Sequence, residues 1–440
     1  MREVRILTAG ADSTDPLDVG GYLSMGGYGA LRKALGMTPA EIIAEVKDAK
    51  LLGRGGAAYP AGSKWEQLLG ISETPKHIVC NADEGEPGTF KDRFIMERNP
   101  FMLLEGMTIA GLVFGATEGH IYVRGEYRSV QRGLMRAMES ARAANLLGPG
   151  ILGSGFGYDI KLVSGAGAYV CGENSALLNS TQGLAGKPRI KPPHLAEVGL
   201  FGLPTLVNNV ESFANVPPIV NMGGKAFLEV GHPESGGTKL ICLSGHVARP
   251  GVYEVPLGSL TLRDAVFDPE LGGGMAPGRG KLKFMHLGGQ SGSIATAAQL
   301  DTVYSYADLR KARLSVGSGA VVVMDESVSM LDYLATVSRF FIRESCGKCT
   351  PCRLGNNAVL KILENLSDPG TARLRELRTL DELCRVMTMA SFCGLGRAAT
   401  VALASGWKAF PDEIERFATE DPPVRIEDLN IDWRPGGARF

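Results

Sequence analysis

Residues 344–353 read Glu-Ser-Cys-Gly-Lys-Cys-Thr-Pro-Cys-Arg and set Cys346, Cys349 and Cys352 three residues apart. One turn of backbone can aim three thiolates so spaced at a single point, and the fold must then bring back a fourth ligand from elsewhere. Two cysteines follow. Cys393, in Ser-Phe-Cys-Gly-Leu-Gly, is followed by glycines that allow close backbone approach; Cys384, in Leu-Asp-Glu-Leu-Cys-Arg-Val-Met, has the spacing of a buried helix face. The pattern predicts a [4Fe–4S] cluster on Cys346, Cys349, Cys352 and Cys393. A structural zinc ion is the alternative, although zinc frameworks pair one C-x2-C with a second such pair or with H-x3–5-H, and neither is near. A cluster carries one electron at a time, so the remaining residues must account for its source.

Upstream, short apolar runs alternate with amphipathic stretches. Strands are expected at 77–80, 120–123 and 159–163, and helices at 39–49, 101–115 and 129–144, the first with Thr38 as N-cap. This alternation argues for α/β architecture with a mainly parallel sheet. Residues 1–38 look like an irregular lead-in. Gly231 to Gly237 breaks the pattern; beyond it, a hairpin around residues 246–251, a short helix at 260–266 and strands at 282–286 and 319–324 suggest a β-grasp-like module. From residue 327 the pattern is helical only, with four segments at 330–345, 354–366, 371–389 and 397–410, as in a bundle. The division expected is 1–236, 237–326 and 327–418, with an extended tail over 419–440.

Glycine, at 58 of 440 residues, is about double its usual share, and it concentrates in loops that follow strands or open helices. Ligands of open α/β sheets collect at such places. Four loops stand out. Residues 53–64 offer backbone N–H groups from Gly53, Gly55 and Gly56 with Arg54 and Lys64 for a phosphate, without the spacing of a dinucleotide fingerprint or a Walker A loop. Asp83, Glu84 and Glu86 form an acidic cluster at a strand end. Residues 165–176 carry Tyr169, Gly172, Glu173 and Asn174, and residues 204–210 place the amides of Asn208 and Asn209. Together these loops suit a large, polar, phosphate-bearing aromatic ligand. A flavin fits, because it converts between the paired electrons of a hydride and the single electrons of a cluster.

These residues carry a family resemblance. The runs at 53–65 (Gly-Arg-Gly-Gly-Ala-Ala-Tyr-Pro-Ala-Gly-Ser-Lys-Trp), 81–93, 165–173, 204–211 and 345–353 resemble, in order, the flavin-bearing NADH dehydrogenase subunit of respiratory complex I, the NuoF family, with relatives in formate dehydrogenases and bifurcating hydrogenases. The resemblance implies a Rossmann-like FMN domain, a ubiquitin-like or SLBB module and a helical bundle with one [4Fe–4S] cluster. It implies that Gly53, Arg54, Gly55, Lys64, Asn81, Asp83, Glu84, Tyr169, Gly172, Glu173, Asn208 and Asn209 hold FMN, with Gly56 and Asn174 in the same loops. Glu84 and Glu86 would lie beside the nicotinamide of NAD(H). Tyr59, Gln67 and His194 stand where the family tends to place Phe around the adenine, and Asn174 stands where it has Glu. A small [2Fe–2S] subunit and further iron–sulfur subunits are the implied partners.

Net charge is −1, which gives no bulk electrostatic reason to expect nucleic acid or an anionic membrane. The first dozen residues lack the apolar core of a signal peptide, and the most apolar window, 101–116, contains Glu105 and is shorter than a membrane span. A cytoplasmic enzyme subunit without direct membrane insertion is expected. Two other readings stay open: a paralogue serving a bifurcating or non-nicotinamide-linked complex, and a scaffold with a vestigial flavin site.

Overall fold

The computed structural model describes residues 4–12 and 15–420. The expected tail therefore lies, from residue 421 onward, outside the described residues. Strands β1 (His77–Ala82), β2 (Glu118–Val123), β3 (Asp159–Ser164) and β4 (Thr205–Asn209) form an all-parallel sheet in the order β3-β2-β1-β4. The central strand β1 is largely buried on both faces because both are covered. Ile78, Cys80, Ile121, Val123 and Leu206 enter one core with the helices Pro39–Asp48 and Pro100–Phe114. Val79, Tyr122 and Val207 point the other way, into a core shared with the C-terminal helices. The bundle is thus packed onto the sheet.

Local signals explain most elements. Thr38 caps the helix Pro39–Asp48 in a reciprocal capping box with Glu41, as expected. Three features differ from the sequence reading. Residues 204–210 are not only a loop: Thr205–Asn209 is the edge strand β4, with Leu206 and Val207 buried on opposite faces. The helix Lys91–Arg98, unread in the sequence, begins where Glu84 accepts hydrogen bonds from the N–H groups of Asp92 (2.8 Å) and Arg93 (2.9 Å). The lead-in contains the short helices Val19–Ser24 and Gly29–Ala34, fastened by the buried Glu105, which accepts from Tyr22 Oη at 2.7 Å, Tyr28 N at 2.9 Å and Leu31 N at 3.1 Å. A buried carboxylate needs such donors, and only tertiary packing shows where they come from.

The second sheet runs β6-β5-β9-β7-β8, with β5 (Thr238–Gly245), β6 (Gly251–Pro256), β7 (Leu282–Leu287), β8 (Ser293–Thr296) and β9 (Ala320–Asp325). β5 and β6 form the expected hairpin; β5 and β9 pair in parallel at the centre. β8 and the helix Tyr306–Lys311 are too short to register in sequence periodicity. Residues 6–8 reach across to β6, where buried Glu254 accepts from the N–H groups of Ile6, Leu7 and Thr8 at 2.9–3.0 Å. The C-terminal part consists of the helices Met330–Glu344, Thr350–Leu366, Leu374–Ala390 and Val401–Ala409, with short turns of helix at Gly394–Ala398 and Pro411–Ile414.

Candidate functional site

A pocket with a cavity volume of about 400 Å³ opens at the carboxyl ends of the parallel strands, within the size range of cofactor sites. All three parts of the chain line it. The first sheet contributes the loops after β1 and β3, the second sheet contributes Ser291 and Ser318, and the bundle contributes Gly394 and Leu395.

Of the residues singled out in sequence, Gly55, Gly56, Asn81, Asp83, Glu84, Glu86, Tyr169, Gly172, Glu173 and Asn209 line this pocket. Gly53, Arg54, Tyr59, Lys64, Asn174 and Asn208 do not. Arg54 turns away: its side chain is fully buried, donates to Gly236 O at 2.8 Å and lies 5.7 Å from the Tyr306 ring centroid. The guanidinium therefore ties the first sheet to the second, and only the backbone of its loop faces the cavity. Lys64 donates to Val207 O at 2.9 Å; burial, with Lys191 nearby, pushes its pKa down to about 8. Asn208 accepts from Trp65 Nε1 at 2.9 Å behind β4, and Asn174 accepts from Asn81 Nδ2 at 3.1 Å. Tyr59 lies on the surface, its hydroxyl accepting from Gln67 at 2.8 Å. The sequence reading missed Lys91 and Asp92, which follow directly on the acidic loop it quoted, and also Ser291 and Ser318. Glycine pairs at 288–289 and around 317–319 were the available signal for the latter two.

The carboxylates are held in distinct states. Burial pushes Asp83 up to about 7, and its Oδ2 finds no hydrogen-bond donor among the described residues. Burial, with Asp92 beside it, pushes Glu84 up to about 7 as well, although the helix N–H groups pull the other way. Glu86 spans the pocket mouth, accepting from Tyr169 Oη at 2.6 Å, Ser291 N at 2.9 Å and Ser291 Oγ at 3.0 Å. Glu173 caps the next helix through Ser175 and Ala176 and pairs with Lys191 at 2.9 Å. Beneath the floor, Glu211 lies 3.0 Å from Lys91 and 2.6 Å from Lys239, all three essentially without solvent exposure. Burial alone would raise Glu211; the two ammonium groups outweigh it and hold the carboxylate ionised. Lys91 also donates to Asn209 at 3.1 Å and pairs with Asp92 at 2.6 Å, so the ammonium in the pocket wall is matched by two carboxylates.

Next to this pocket a small apolar cavity brings together Cys346, Cys349, Cys352 and Cys393. Cys384 is buried elsewhere, its thiol pushed up to about 11 by burial. Gly347, at φ +72°, allows the turn that separates the first two cysteines. Cys349 and Cys393 each occupy the N-cap of a helix, where the macrodipole favours negative charge. Phe392 N donates to Cys349 Sγ at 3.5 Å and Asn356 Nδ2 to Cys352 Sγ at 3.4 Å. Val170 and Leu395 belong to the walls of both cavities. Glu344 locks the junction by accepting from Tyr169 N at 2.9 Å, and Phe340 packs on the Tyr169 ring at 5.1 Å.

The residues present fit a flavin: a pocket at the strand ends, walled by glycine loops and lined by convergent carboxylates and amides. Four convergent thiols without a neighbouring histidine fit an iron–sulfur cluster. A cofactor pocket walled off from a four-cysteine centre by two side chains defines a flavin and iron–sulfur electron-transfer protein. Residues 46–218 match the family described as the Nuo51 FMN-binding domain, and residues 332–417 match the NADH-ubiquinone oxidoreductase-F iron-sulfur binding region. The NADH-quinone oxidoreductase F-subunit 2 of Rhizobium meliloti is 43% identical, with 93% of this chain and 96% of that protein covered. The HndC subunit of the NADP-reducing hydrogenase of Solidesulfovibrio fructosivorans is 40% identical over 94% of this chain and 83% of that one. An NAD+-reducing [NiFe]-hydrogenase in its H2-reduced state superimposes with a TM-score of 0.82 at 33% identity, covering 95% of this chain and 67% of the hydrogenase chain. The chain belongs to the NuoF family, the F-subunits of NADH-quinone oxidoreductase. It is an FMN- and [4Fe–4S]-bearing oxidoreductase component that transfers electrons between NAD(H), flavin and cluster within a multisubunit complex. Among the described residues, no helix is long and apolar enough to cross a membrane.

Proposed function

We propose that Gly55, Gly56, Asn81, Asp83, Tyr169, Gly172, Glu173 and Asn209 contact FMN directly, while Gly53, Arg54, Lys64, Asn174 and Asn208 hold the loops that do so and Tyr59 meets the nucleotide from outside. FMN, when bound, supplies the exchange between a hydride and single electrons. Glu84 and Glu86 flank the nicotinamide. Glu84, near neutral pKa and anchored on a helix N-terminus, fixes the loop after β1 and can take or release a proton there; Glu86 holds the mouth against the second sheet through Ser291. Lys91, held between Asp92 and Glu211, fixes Asn209 in the pocket wall. Cys346, Cys349, Cys352 and Cys393 ligate the cluster.

The observation that carries this reading is the shared wall: among the described residues, Val170 and Leu395 stand in both cavities. Shared lining residues put the two cavities side by side. The units 1–236, 237–326 and 327–418 meet at the pocket, so none of them completes the site alone. One cluster has no onward destination within this chain, which argues for a small [2Fe–2S] partner and further iron–sulfur subunits. Free cysteines throughout the described residues accord with a cytoplasmic, reducing setting. The test is cofactor analysis of purified Leu395→Trp, which intrudes on both cavities. Loss of bound flavin and of iron together is expected; full retention of both would reject the shared wall as an intimate contact.

A further inference from the structure

The amino-terminal edge of the parallel sheet, away from the glycine loops, holds three potential ligands that take no part in the cofactor pocket. His77 opens β1, and Glu118 and His120 begin β2. The register that pairs Ile78 with Gly119 and Val79 with His120 puts all three side chains on one face. One donor atom from each lies within 4.8 Å of the others. His120 Nε2 is 3.1 Å from Glu118 Oε1, and the two imidazole centroids are 5.9 Å apart.

A histidine pair satisfied by its neighbours would be ordinary sheet packing. Here, however, Nδ1 of His77 and Nδ1 of His120 are both buried with no hydrogen-bond partner among the described residues, and the His120 side chain is only 7% exposed. Buried imidazole nitrogens are seldom left so. We propose that His77, Glu118 and His120 form a binding site for a divalent late first-row cation, best matched by Zn2+, with water completing the coordination. Two imidazoles and one carboxylate are a donor set that zinc takes readily, at ~2.0–2.1 Å per bond. Lys161 pairs with Glu118 Oε2 but is 65% exposed and can swing into solvent at small cost. The ion would clip the starts of β1 and β2 beneath Phe201, whose ring lies 6.0 Å from His77. The six-residue strands place it roughly 15–20 Å from the flavin pocket, so its role is to brace the sheet edge and not to take part in the redox chemistry.

The test is zinc K-edge X-ray absorption on the holoprotein, flavin and cluster intact, after one equivalent of ZnCl2 and gel filtration. Retained zinc with a first shell of nitrogen and oxygen at ~2.0–2.1 Å and imidazole scattering beyond it is expected. His77→Ala and Glu118→Gln should each weaken zinc binding at least tenfold with flavin and iron content unchanged; both positions are more exposed than His120, so these variants should fold. A sulfur shell near ~2.3 Å, placing the zinc on cysteines, would overturn the proposal, as would zinc bound no more weakly by either variant, or no zinc retained at all.

Discussion

Asp83 shows how one residue can be costly to the fold and useful to the site. Its carboxyl titrates near 7 when folded against an ordinary 3.8, because burial disfavours the charge. The sign follows from linkage: a raised folded pKa contributes stability that is complete below about 3.8 and is lost as pH rises through about 7. Flavin-free protein should therefore lose stability between about pH 4 and 7, with Glu84 acting in the same direction. Asp83→Asn should flatten that slope, gaining on the order of 3 kcal/mol at pH 8 in urea unfolding, while flavin affinity falls at least tenfold. A variant as pH-sensitive as the parent would remove Asp83 from the account. Cysteines give a second contrast. Cys393→Ser should strip iron from the purified protein, whereas Cys384→Ser, away from the cysteine cavity, should keep a full complement.

Among elements, the junction between the two sheets depends on Glu211, at the start of the helix that follows β4. It pairs with Lys91 and Lys239, Asp92 supplying the second negative charge, and accepts from Leu240 N at 3.0 Å in the first stretch of β5. Removing one partner of a buried ionic group strands the others, a loss of about 3–5 kcal/mol. Glu211→Ala should lower the unfolding midpoint accordingly and loosen the second sheet, read as faster amide exchange in β5 than in β2; uniform exchange would argue against a junction role. In the bundle, Gly396 has no room for a side chain, since a Cβ there would lie 2.7 Å from Ser391 and 2.9 Å from Cys352 Cβ. Gly396→Ala should displace a ligand and broaden the cluster's EPR signal before it affects helix content.

Across the whole molecule, what could be read in advance was what lies close in sequence. The glycine loops, the acidic cluster and the three spaced cysteines announce their chemistry locally, and Cys393 was separable from Cys384 by its glycine neighbours. What could not be read depends on long-range packing: the inward turn of Arg54 toward Tyr306, the bond from Glu86 to Ser291, and Leu395 joining two cavities. Strand β4 was hidden because an edge strand ending in two asparagines resembles a loop, and the lead-in helices are shorter than two turns and need Glu105 to hold them.

The central claim is that a hydride-accepting flavin and the four-cysteine cluster are adjacent and connected in one chain. Anaerobic titration of the purified protein with NADH, followed by visible absorbance and EPR, tests it directly. Bleaching of the flavin together with the signal of a reduced [4Fe–4S] centre is expected. A spectrum unchanged by NADH, or a bleached flavin beside a cluster that never accepts an electron, would contradict it.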